Sequence, residues 1–341
     1  MATESVIVVG AGGISDAWFG PLKQEGVRIA AVVDLRKEAA QEKIDQHQLT
    51  GTLASDDLQK TLAEFKGKAD FVLDLTIPEA HCQVTCQSLA AGFHVLGEKP
   101  MAVSMDQARR MLAASENSRK MYMVSQSRRW DKNHIATENA IATGQIGMLT
   151  TLNCDFYIGA HFGGFRDEMP SPLILDMAIH HFDLARMFAR RTCVAVYAEE
   201  FNPHGSWYKG DAAANCIFEM QDQVRFAYRG SWCAEGPHTS WNGDWRIIGD
   251  KGTLIMANDQ FPQGEIVTNQ EGFHREKSPL TIPQPENTAF NMHGSLREML
   301  HFLRTGQKPQ TECHDNIHSL AMVFAAIESS KRKERVKLAE I

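Results

Sequence analysis

The segment Val6-Ile7-Val8-Val9-Gly10-Ala11-Gly12-Gly13-Ile14-Ser15 decides the fold of the first part of the chain. Its β-branched run predicts a buried strand, and the glycines predict a tight turn into a helix. Gly10 lets the chain turn off the strand, and Gly12 lets the backbone approach a pyrophosphate at the helix N-terminus. A second apolar run ends at Asp34, about 20 residues on, where the fingerprint places an acid for the ribose hydroxyls. The segment therefore predicts a dinucleotide-binding βαβ unit.

The turn also bears on the choice of dinucleotide. Gly13 and Ile14 continue it, while Ser15 replaces the third glycine of the fingerprint with another small residue. The carboxylate of Asp34 would repel a 2′-phosphate and favours NAD, whereas Arg36 could bind that phosphate, so NADP stays the alternative. A glycine turn in some other α/β protein is the competing interpretation.

Composition restricts the class of protein. The chain has 341 residues, 43% apolar and 23% charged, which predicts a globular protein with two domains. Its formal net charge of -7 argues against a nucleic-acid partner. We found no leader and no membrane-spanning apolar run in the sequence, so we expect a cytoplasmic protein without a membrane partner.

The cysteines do not indicate a disulfide framework, because there are seven of them and no Cys-x-x-Cys pair. Cys82 and Cys86 are one helical turn apart and lie next to His81, which could mimic half of a zinc site. A second ligand cluster with suitable spacing was not recognised. We therefore predict no metal.

Strands and helices alternate through the first third of the chain. Strand patterns cover residues 28–34, 70–75, 94–96 and 121–125, with helical stretches starting at Arg36, Pro78 and Ser104. This alternation predicts a doubly wound parallel sheet, a Rossmann domain over residues 1–127. The ligand crevice of such a sheet lies past the carboxyl ends of its strands. Four candidates follow those ends: Thr76, Glu98, Lys99 and Gln126.

The pattern changes after about residue 150. Longer strand patterns at 151–158, 195–201, 213–220 and 223–231 predict a mostly antiparallel open sheet in a second domain, 128–341. One apolar helix, 173–188, interrupts them, and residues 258–287 are expected to form a loop with weak strands. Helices are expected at 295–305 and 315–330, and whether they pack back on the first domain is left open.

Two groups of residues could carry chemistry. Lys99, stiffened by Pro100, would face a nicotinamide from the end of a buried strand, although a solvated loop lysine explains it equally well. On the apolar helix, Asp176 and His180 share a face, and a carboxylate beside an imidazole suits a general acid or base. A purely structural Asp–His hydrogen bond is the alternative. His181 points elsewhere and is either a packing residue or a secondary substrate contact.

Substrate contacts are less sharply indicated. Residues after the strand near Ser125 and before the apolar helix could line a pocket, and tryptophans at 207, 232, 241 and 245 could stack on sugar rings or belong to the core. Arginines among them permit an anionic group such as a uronate, phosphate or sulfonate, but solvated salt bridges explain them equally well. The candidates are Arg129, Trp130, His161, Phe165 and Arg166.

Taken together, these motifs resemble the glucose-fructose oxidoreductase, inositol dehydrogenase and rhizopine-catabolism (Gfo/Idh/MocA) family. The resemblance rests on the nucleotide turn, Glu98-Lys99-Pro100, and Asp176-x-x-x-His180, and it extends to residues 76–81 and the turn at 145–147. It implies a family loop against the cofactor, which adds Pro78 and His81 to the predicted cofactor contacts. Glu-Lys-Pro alone is common, but the three motifs at these distances are specific.

The resemblance implies reversible hydride transfer between NAD and a secondary hydroxyl of a sugar, polyol or sugar derivative. His180 would take the hydroxyl proton, Lys99 would hydrogen-bond the reacting oxygen, and Asp176 would orient His180 or bind a neighbouring hydroxyl. An NAD-dependent glycosidase that oxidises the sugar transiently is the alternative, and a non-catalytic NAD-sensing regulator is a third. The resemblance also implies a homodimer or homotetramer. The substrate and the carbon oxidised are not indicated.

Overall fold

The computed structural model describes residues 4–286 and 288–341. The strands, in chain order, are β1 Ser5–Val9, β2 Arg28–Val33, β3 Leu53–Ser55, β4 Phe71–Asp74, β5 His94–Gly97, β6 Tyr122–Val124, β7 Leu149–Tyr157, β8 Cys193–Phe201, β9 Ala213–Met220, β10 Arg225–Ser231, β11 Asp244–Gly249, β12 Gly252–Met256, β13 Gln263–Val267, β14 Lys277–Pro279 and β15 Val336–Lys337.

The α-helices are α1 Asp16–Gln24, α2 Lys37–Gln46, α3 Leu58–Phe65, α4 Pro78–Ala90, α5 Met105–Ser118, α6 Lys132–Ala142, α7 Phe165–Glu168, α8 Ile179–Ala189, α9 Asn291–Thr305 and α10 Cys313–Arg332. A π-helical segment, Leu173–Ala178, leads into α8, and 3-10 turns occur at Gly13–Ser15, Ser127–Trp130, Gln221–Gln223 and Leu338–Glu340. Within the described ranges, no helix has both the length and the apolar character needed to cross a membrane.

The chain divides into two compact units. The first runs to Trp130 and resumes over Ala289–Ile317, and the second comprises Asp131–Thr288 and His318–Ile341. The division falls within α10.

The first unit contains a six-stranded sheet in the order β3-β2-β1-β4-β5-β6. All neighbouring strands pair in parallel. Every residue of β1 is buried, as expected for a strand covered on both faces. The strand order reverses between β1 and β4, which is where a doubly wound sheet opens its ligand crevice.

Local sequence signals start the helices of this unit. The Asp57 side chain caps α3 by accepting from the Lys60 N–H at 2.9 Å, and Ser104 caps α5 by accepting from the Gln107 N–H at 3.2 Å. Pro78 is the first residue of α4, where its missing N–H costs nothing. Apolar side chains of α1 and α9 belong to the same core cluster as the strands, so α9 completes this unit.

The second unit contains a nine-stranded sheet in the order β14-β13-β12-β11-β7-β10-β9-β8-β15. β7 and β10 pair in parallel, and all the other neighbours pair antiparallel. Every residue of α8 is buried, and its Phe182 packs edge-on against Phe218 at 4.7 Å and Tyr228 at 5.3 Å between ring centroids. An aromatic core therefore fixes the helix that carries His180.

The predicted fold class is confirmed: a parallel Rossmann sheet is followed by a mostly antiparallel open sheet. The sequence patterns missed several elements, namely β3, α3, α6, β11, β12 and β15. The predicted helix at 173–188 begins with a π-helical segment instead of an α-helical turn.

Candidate active site

The predicted site residues divide between the two units, and each group has its own local geometry. In the first unit, backbone hydrogen bonds join residues just past neighbouring strands. The Gly10 N–H donates to Val33 O at 2.8 Å, and the Glu98 N–H donates to Asp74 O at 2.9 Å. These hydrogen bonds fix the nucleotide turn and the Glu98-Lys99 segment at the carboxyl edge of the sheet.

Gly10 and Gly12 have different reasons to be glycine. Gly10 has a φ of +101°, and a Cβ there would lie 2.7 Å from the backbone of Leu75. Gly12 has an ordinary φ of -74°, and a Cβ there would meet no protein atom within 4 Å. The first glycine allows the sheet to close up, and the second leaves open space beside the turn.

The Asp34 carboxylate is fixed against the same turn. Its Oδ2 accepts from the Ala11 N–H at 2.9 Å, and its Oδ1 accepts from the Arg36 N–H at 3.0 Å. Each oxygen keeps a further acceptor site, which is what two ribose hydroxyls require. Arg36 lies at the start of α2, within two residues of this carboxylate.

A cavity of about 670 Å³ opens at this edge. A volume of this size suits a cofactor or a small molecule. The space at Gly12, the acceptor oxygens of Asp34 and the largely apolar wall fit a dinucleotide. The residues that line the cavity include Gly10, Gly12, Asp34, Leu35, Asp56, Asp57, Leu58, Gln59, Thr76, Ile77, Ala80, Gln83, Val84 and Gln87.

Thr76 and His81 bracket Asp74 inside the first unit. The Thr76 hydroxyl donates to Asp74 Oδ1 at 2.6 Å, and His81 Nδ1 lies 3.3 Å from Asp74 Oδ2. Burial opposes protonation of His81, but the charges of Asp74 and Glu98 outweigh it and raise the pKa of His81. Only 1% of His81 is exposed, and its charge partner is the buried Asp74, so its contact with a cofactor stays a prediction.

Glu98 and Lys99 follow β5. Glu98 is buried, and its carboxylate accepts from Trp18 Nε1 at 2.9 Å and from the Lys99 N–H at 3.2 Å. Burial raises the pKa of Glu98, against the hydrogen bond from Trp18 and the charge of Lys99. The peptide bond between Lys99 and Pro100 is cis. Glu98 thus anchors the backbone at the lysine that we predicted to act on the substrate.

The residues after β6 have mixed roles. The amide of Gln126 is buried and has no hydrogen-bond partner within residues 4–286 and 288–341, which leaves it available to a ligand. Arg129 is buried and donates to Asp315 Oδ2 at 3.1 Å. This ion pair accounts for the charge of Arg129 without a substrate. Trp130 is buried against Gly294, where a Cβ would lie 2.4 Å from the tryptophan side chain.

In the second unit, the π-helical segment places Asp176 against Arg166. Arg166 Nε donates to Asp176 Oδ2 at 2.6 Å, and the guanidinium lies 4.9 Å from the ring centroid of Phe162 and 4.7 Å from that of Phe165. π-Helical turns are frequent at functional sites. The extra residue per turn changes the register of Asp176 relative to His180 from that of a plain α-helix, on which our prediction relied.

His180 and His181 differ in their surroundings. His180 lies in the first turn of α8 and is 8% exposed. His181 is fully buried, stacked near Tyr228 at 5.5 Å and tilted against Phe156 at 5.0 Å between ring centroids. These aromatic contacts are those of a packing residue, the first of the two roles predicted for His181, and its substrate contact stays a prediction.

The remaining predicted substrate contacts and tryptophans belong to the second unit. His161 Nε2 lies 2.8 Å from Glu235 Oε1, and its ring stacks on Trp207 at 3.6 Å. Trp241 is 45% exposed, whereas Trp232 and Trp245 are buried in the core of the second unit. Two of the four tryptophans are thus structural.

The sequence patterns missed part of the cavity wall. Asp56, Asp57, Leu58 and Gln59 follow the three-residue strand β3, which is too short to give a periodic signal. The sequence patterns also did not predict the hydrogen bond between Trp18 and Glu98, because no local spacing links residues 80 positions apart.

Comparisons with known proteins agree with this geometry. The family described as "Oxidoreductase family, NAD-binding Rossmann fold" (GFO/IDH/MocA) matches residues 5–126, and its C-terminal domain matches residues 134–255. The uncharacterized protein y4oX of Sinorhizobium fredii is 26% identical, with 99% of this chain and 96% of the relative covered. Myo-inositol 2-dehydrogenase of Thermotoga maritima is 23% identical, with 80% of each chain covered.

Among solved structures, an oxidoreductase from Agrobacterium radiobacter in complex with NAD+, L-tartaric acid and magnesium superimposes with a TM-score of 0.84. It is 20% identical to this chain, with 99% of both chains covered. At this level of identity the match shows a shared fold.

Proposed function

The chain belongs to the GFO/IDH/MocA family of NAD-binding oxidoreductases, and from that premise we propose that it transfers hydride between NAD and a secondary hydroxyl of a sugar, polyol or sugar derivative. One observation carries the proposal: Glu98-Lys99 lies at the same carboxyl edge of the sheet as the cavity that fits a dinucleotide. A lysine at that edge can serve a reacting oxygen beside the cofactor. Sugar and polyol dehydrogenases among the relatives support the substrate class.

The cofactor, when bound, accepts or returns the hydride. The residues of this chain then supply the proton chemistry. In the oxidation direction, His180 removes the hydroxyl proton, and Lys99 donates a hydrogen bond that stabilises the negative charge developing on the oxygen. Asp176, held by Arg166 Nε, orients His180 or binds a neighbouring hydroxyl of the substrate.

We further propose that the substrate is neutral. Arg166 is the more accessible arginine among our predicted substrate contacts, with 32% of its side chain exposed, and the Asp176 carboxylate already neutralises it at 2.6 Å. The other, Arg129, is paired with Asp315. A uronate, phosphate or sulfonate would have to compete with these carboxylates for either guanidinium. A cytoplasmic location, expected from the sequence, and a homodimeric or homotetrameric state, implied by the family resemblance, belong to the same proposal.

The test is to incubate the protein with NAD or NADP and a panel of polyols, neutral sugars, uronates and glycosides. Reduced cofactor and released aglycone are followed together in the wild type, Lys99→Ala and His180→Ala. Lys66→Ala and His204→Ala, at exposed positions, serve as matched controls. We expect steady NADH formation that the two site variants lose and the two controls keep.

Other results would overturn the proposal. Aglycone release without net NADH formation would establish the glycosidase, which no comparison favours. Equal turnover in Lys99→Ala and the wild type would remove the lysine from the mechanism. Cofactor binding without turnover on any member of the panel would indicate the sensing regulator.

A further inference from the structure

A cluster of metal-ligating side chains lies in the first unit, away from the nucleotide cavity. Glu312, Cys313 and His314 follow one another where the chain enters α10. Glu312 Oε2 is 2.8 Å from His314 Nδ1, and Cys313 Sγ is 3.8 Å from that oxygen and 3.7 Å from that nitrogen. The donor atoms of a tetrahedral zinc site, with metal–ligand distances of about 2.0 to 2.3 Å, are separated by about 3.3 to 3.7 Å. The two distances from the sulfur are close to this spacing, whereas the oxygen and the nitrogen are at hydrogen-bond distance and move apart when an ion replaces that bond.

A fourth side chain holds the histidine from its other side. His314 Nε2 lies 2.9 Å from Glu116 Oε1, on α5. In protein metal sites, a carboxylate on the free ring nitrogen of a histidine ligand fixes the tautomer and makes the ligand more basic. Glu116 supplies that contact and leaves Nδ1 to face Glu312 and Cys313.

The backbone under the ligands is held at several points. Glu312 forms an antiparallel bridge with Met123 of β6, and the Thr311 hydroxyl donates to Val124 O at 2.6 Å. The N–H groups of Asp315 and Asn316 donate to Glu312 O at 3.0 and 2.9 Å. The ligand positions are therefore preorganised by the strand edge and the first turn of the helix.

Charge and donor type define the ligand. Two carboxylates, Glu116 and Glu312, flank one imidazole, so the four side chains carry net negative charge whether or not His314 is protonated. Sulfur and imidazole donors select a borderline metal over magnesium or calcium, which prefer oxygen. We propose that Glu312, Cys313 and His314 bind one divalent ion of the zinc class, with Glu116 fixing His314 and a water completing the tetrahedron.

Binding has a proton balance and a structural consequence. Zinc binds cysteine as the thiolate, so the ion displaces a proton from the Cys313 sulfur, and that proton is released to solvent. Because Glu116 lies near the end of α5 and contacts His314, an ion on His314 reinforces the contact between the end of α5 and the start of α10. Its role is structural and independent of hydride transfer.

The test uses the full-length, reduced protein after treatment with a chelator. Titration with Co²⁺ should give a thiolate-to-cobalt charge-transfer band that saturates at one ion per chain and disappears when Zn²⁺ is added. Cys313→Ser should abolish the band. Glu116→Gln should weaken Zn²⁺ affinity, measured with a competing chromophoric chelator, by about 10-fold or more.

Two controls keep the test decisive. The double variant Cys82→Ser, Cys86→Ser removes two neighbouring thiols outside the proposed site and should leave the band unchanged. His314→Gln changes a side chain that is 42% exposed, so it should fold even if Cys313→Ser does not, and it should lose most of the affinity. The absence of the band in the wild type, a band that depends on Cys82 and Cys86, or wild-type affinity in His314→Gln would each overturn the proposal.

Discussion

The indole of Trp18 holds the carboxylate of Glu98: Nε1 donates to Oε1 at 2.9 Å, with both side chains buried. This contact joins α1, the helix after the nucleotide turn, to the residue before Lys99. A buried carboxylate depends strongly on each of its donors, because it has no water to replace them. The helix that follows the nucleotide turn is thereby fixed to the Glu98-Lys99 segment.

Trp18→Phe should lower the free energy of unfolding by about 1 to 3 kcal/mol, because it leaves the Glu98 carboxylate short of a donor. The same change should cost less in a Glu98→Gln background, where the buried group is neutral. Urea denaturation of the wild type, Trp18→Phe, Glu98→Gln and the double variant measures the coupling free energy between Trp18 and Glu98. An equal cost in both backgrounds would mean that Trp18 contributes through packing alone.

The two glycines of the turn should separate folding from cofactor binding. Gly10→Ala forces a Cβ to within 2.7 Å of the Leu75 backbone at a φ of +101°, and we expect a loss of stability on the order of 3 kcal/mol. The Cβ of Gly12→Ala meets no protein atom within 4 Å, so the free energy of unfolding should stay unchanged. NADH affinity should fall, because that Cβ takes up the open space where the cofactor approaches the turn. Thermal unfolding and NADH fluorescence titration are the measurements. Equal destabilisation by both changes would contradict this assignment.

The sequence could predict the strand ends and the residues that follow them, because continuous apolar runs and glycine turns are local signals. Asp34, Thr76 and Glu98 lie at the carboxyl edge for that reason. Short elements such as β3 give no periodicity, so the cavity wall that follows β3 was missed.

Local sequence patterns could not predict contacts between side chains that are far apart in the chain. Arg129 reads as a loop arginine, and its partner Asp315 is 186 residues away. The π-helical register before α8 also gave no signal, since Leu173–Ala178 fits an apolar α-helix equally well by composition.

Asp34→Asn should raise the preference for NADP relative to NAD by about tenfold or more, which is about 1.4 kcal/mol. The amide keeps one acceptor for the Ala11 or Arg36 N–H and removes the charge that would repel a 2′-phosphate. Asp45→Asn, at an exposed position of α2, changes net charge equally and is the control. Dissociation constants for NADH and NADPH decide the outcome. An unchanged ratio would mean that Asp34 does not set cofactor choice.

Arg166→Met should lower kcat/KM by roughly tenfold or more, because Asp176 would lose the partner that holds it. The melting temperature should change little, since Arg166 keeps 32% of its side chain exposed. Arg229→Met breaks an exposed pair with Asp155 in the same unit and should leave kcat/KM unchanged. If Arg166→Met and Asp176→Asn reduced kcat/KM independently of each other, the two residues would not act as a pair.

Glu200 should make stability depend on pH. Burial raises its pKa from an ordinary 4.5 to about 7, with the charge of Asp211 adding to the effect and a hydrogen bond from Ser171 opposing it. The folded protein therefore binds more protons than the unfolded chain between those pH values, so stability falls as pH rises from 4.5 to 7.

Above pH 7 the loss in the free energy of unfolding caused by ionised Glu200 stays constant at about 3 kcal/mol. Glu200→Gln keeps the shape and removes the ionisation. Its melting temperature relative to the wild type should therefore increase across the window and then level off. Glu199→Gln, at the exposed neighbouring position of β8, should show no such rise. A melting-temperature difference that is flat across the window for Glu200→Gln would show that the carboxylate finds enough solvent or donors to ionise at its ordinary pKa.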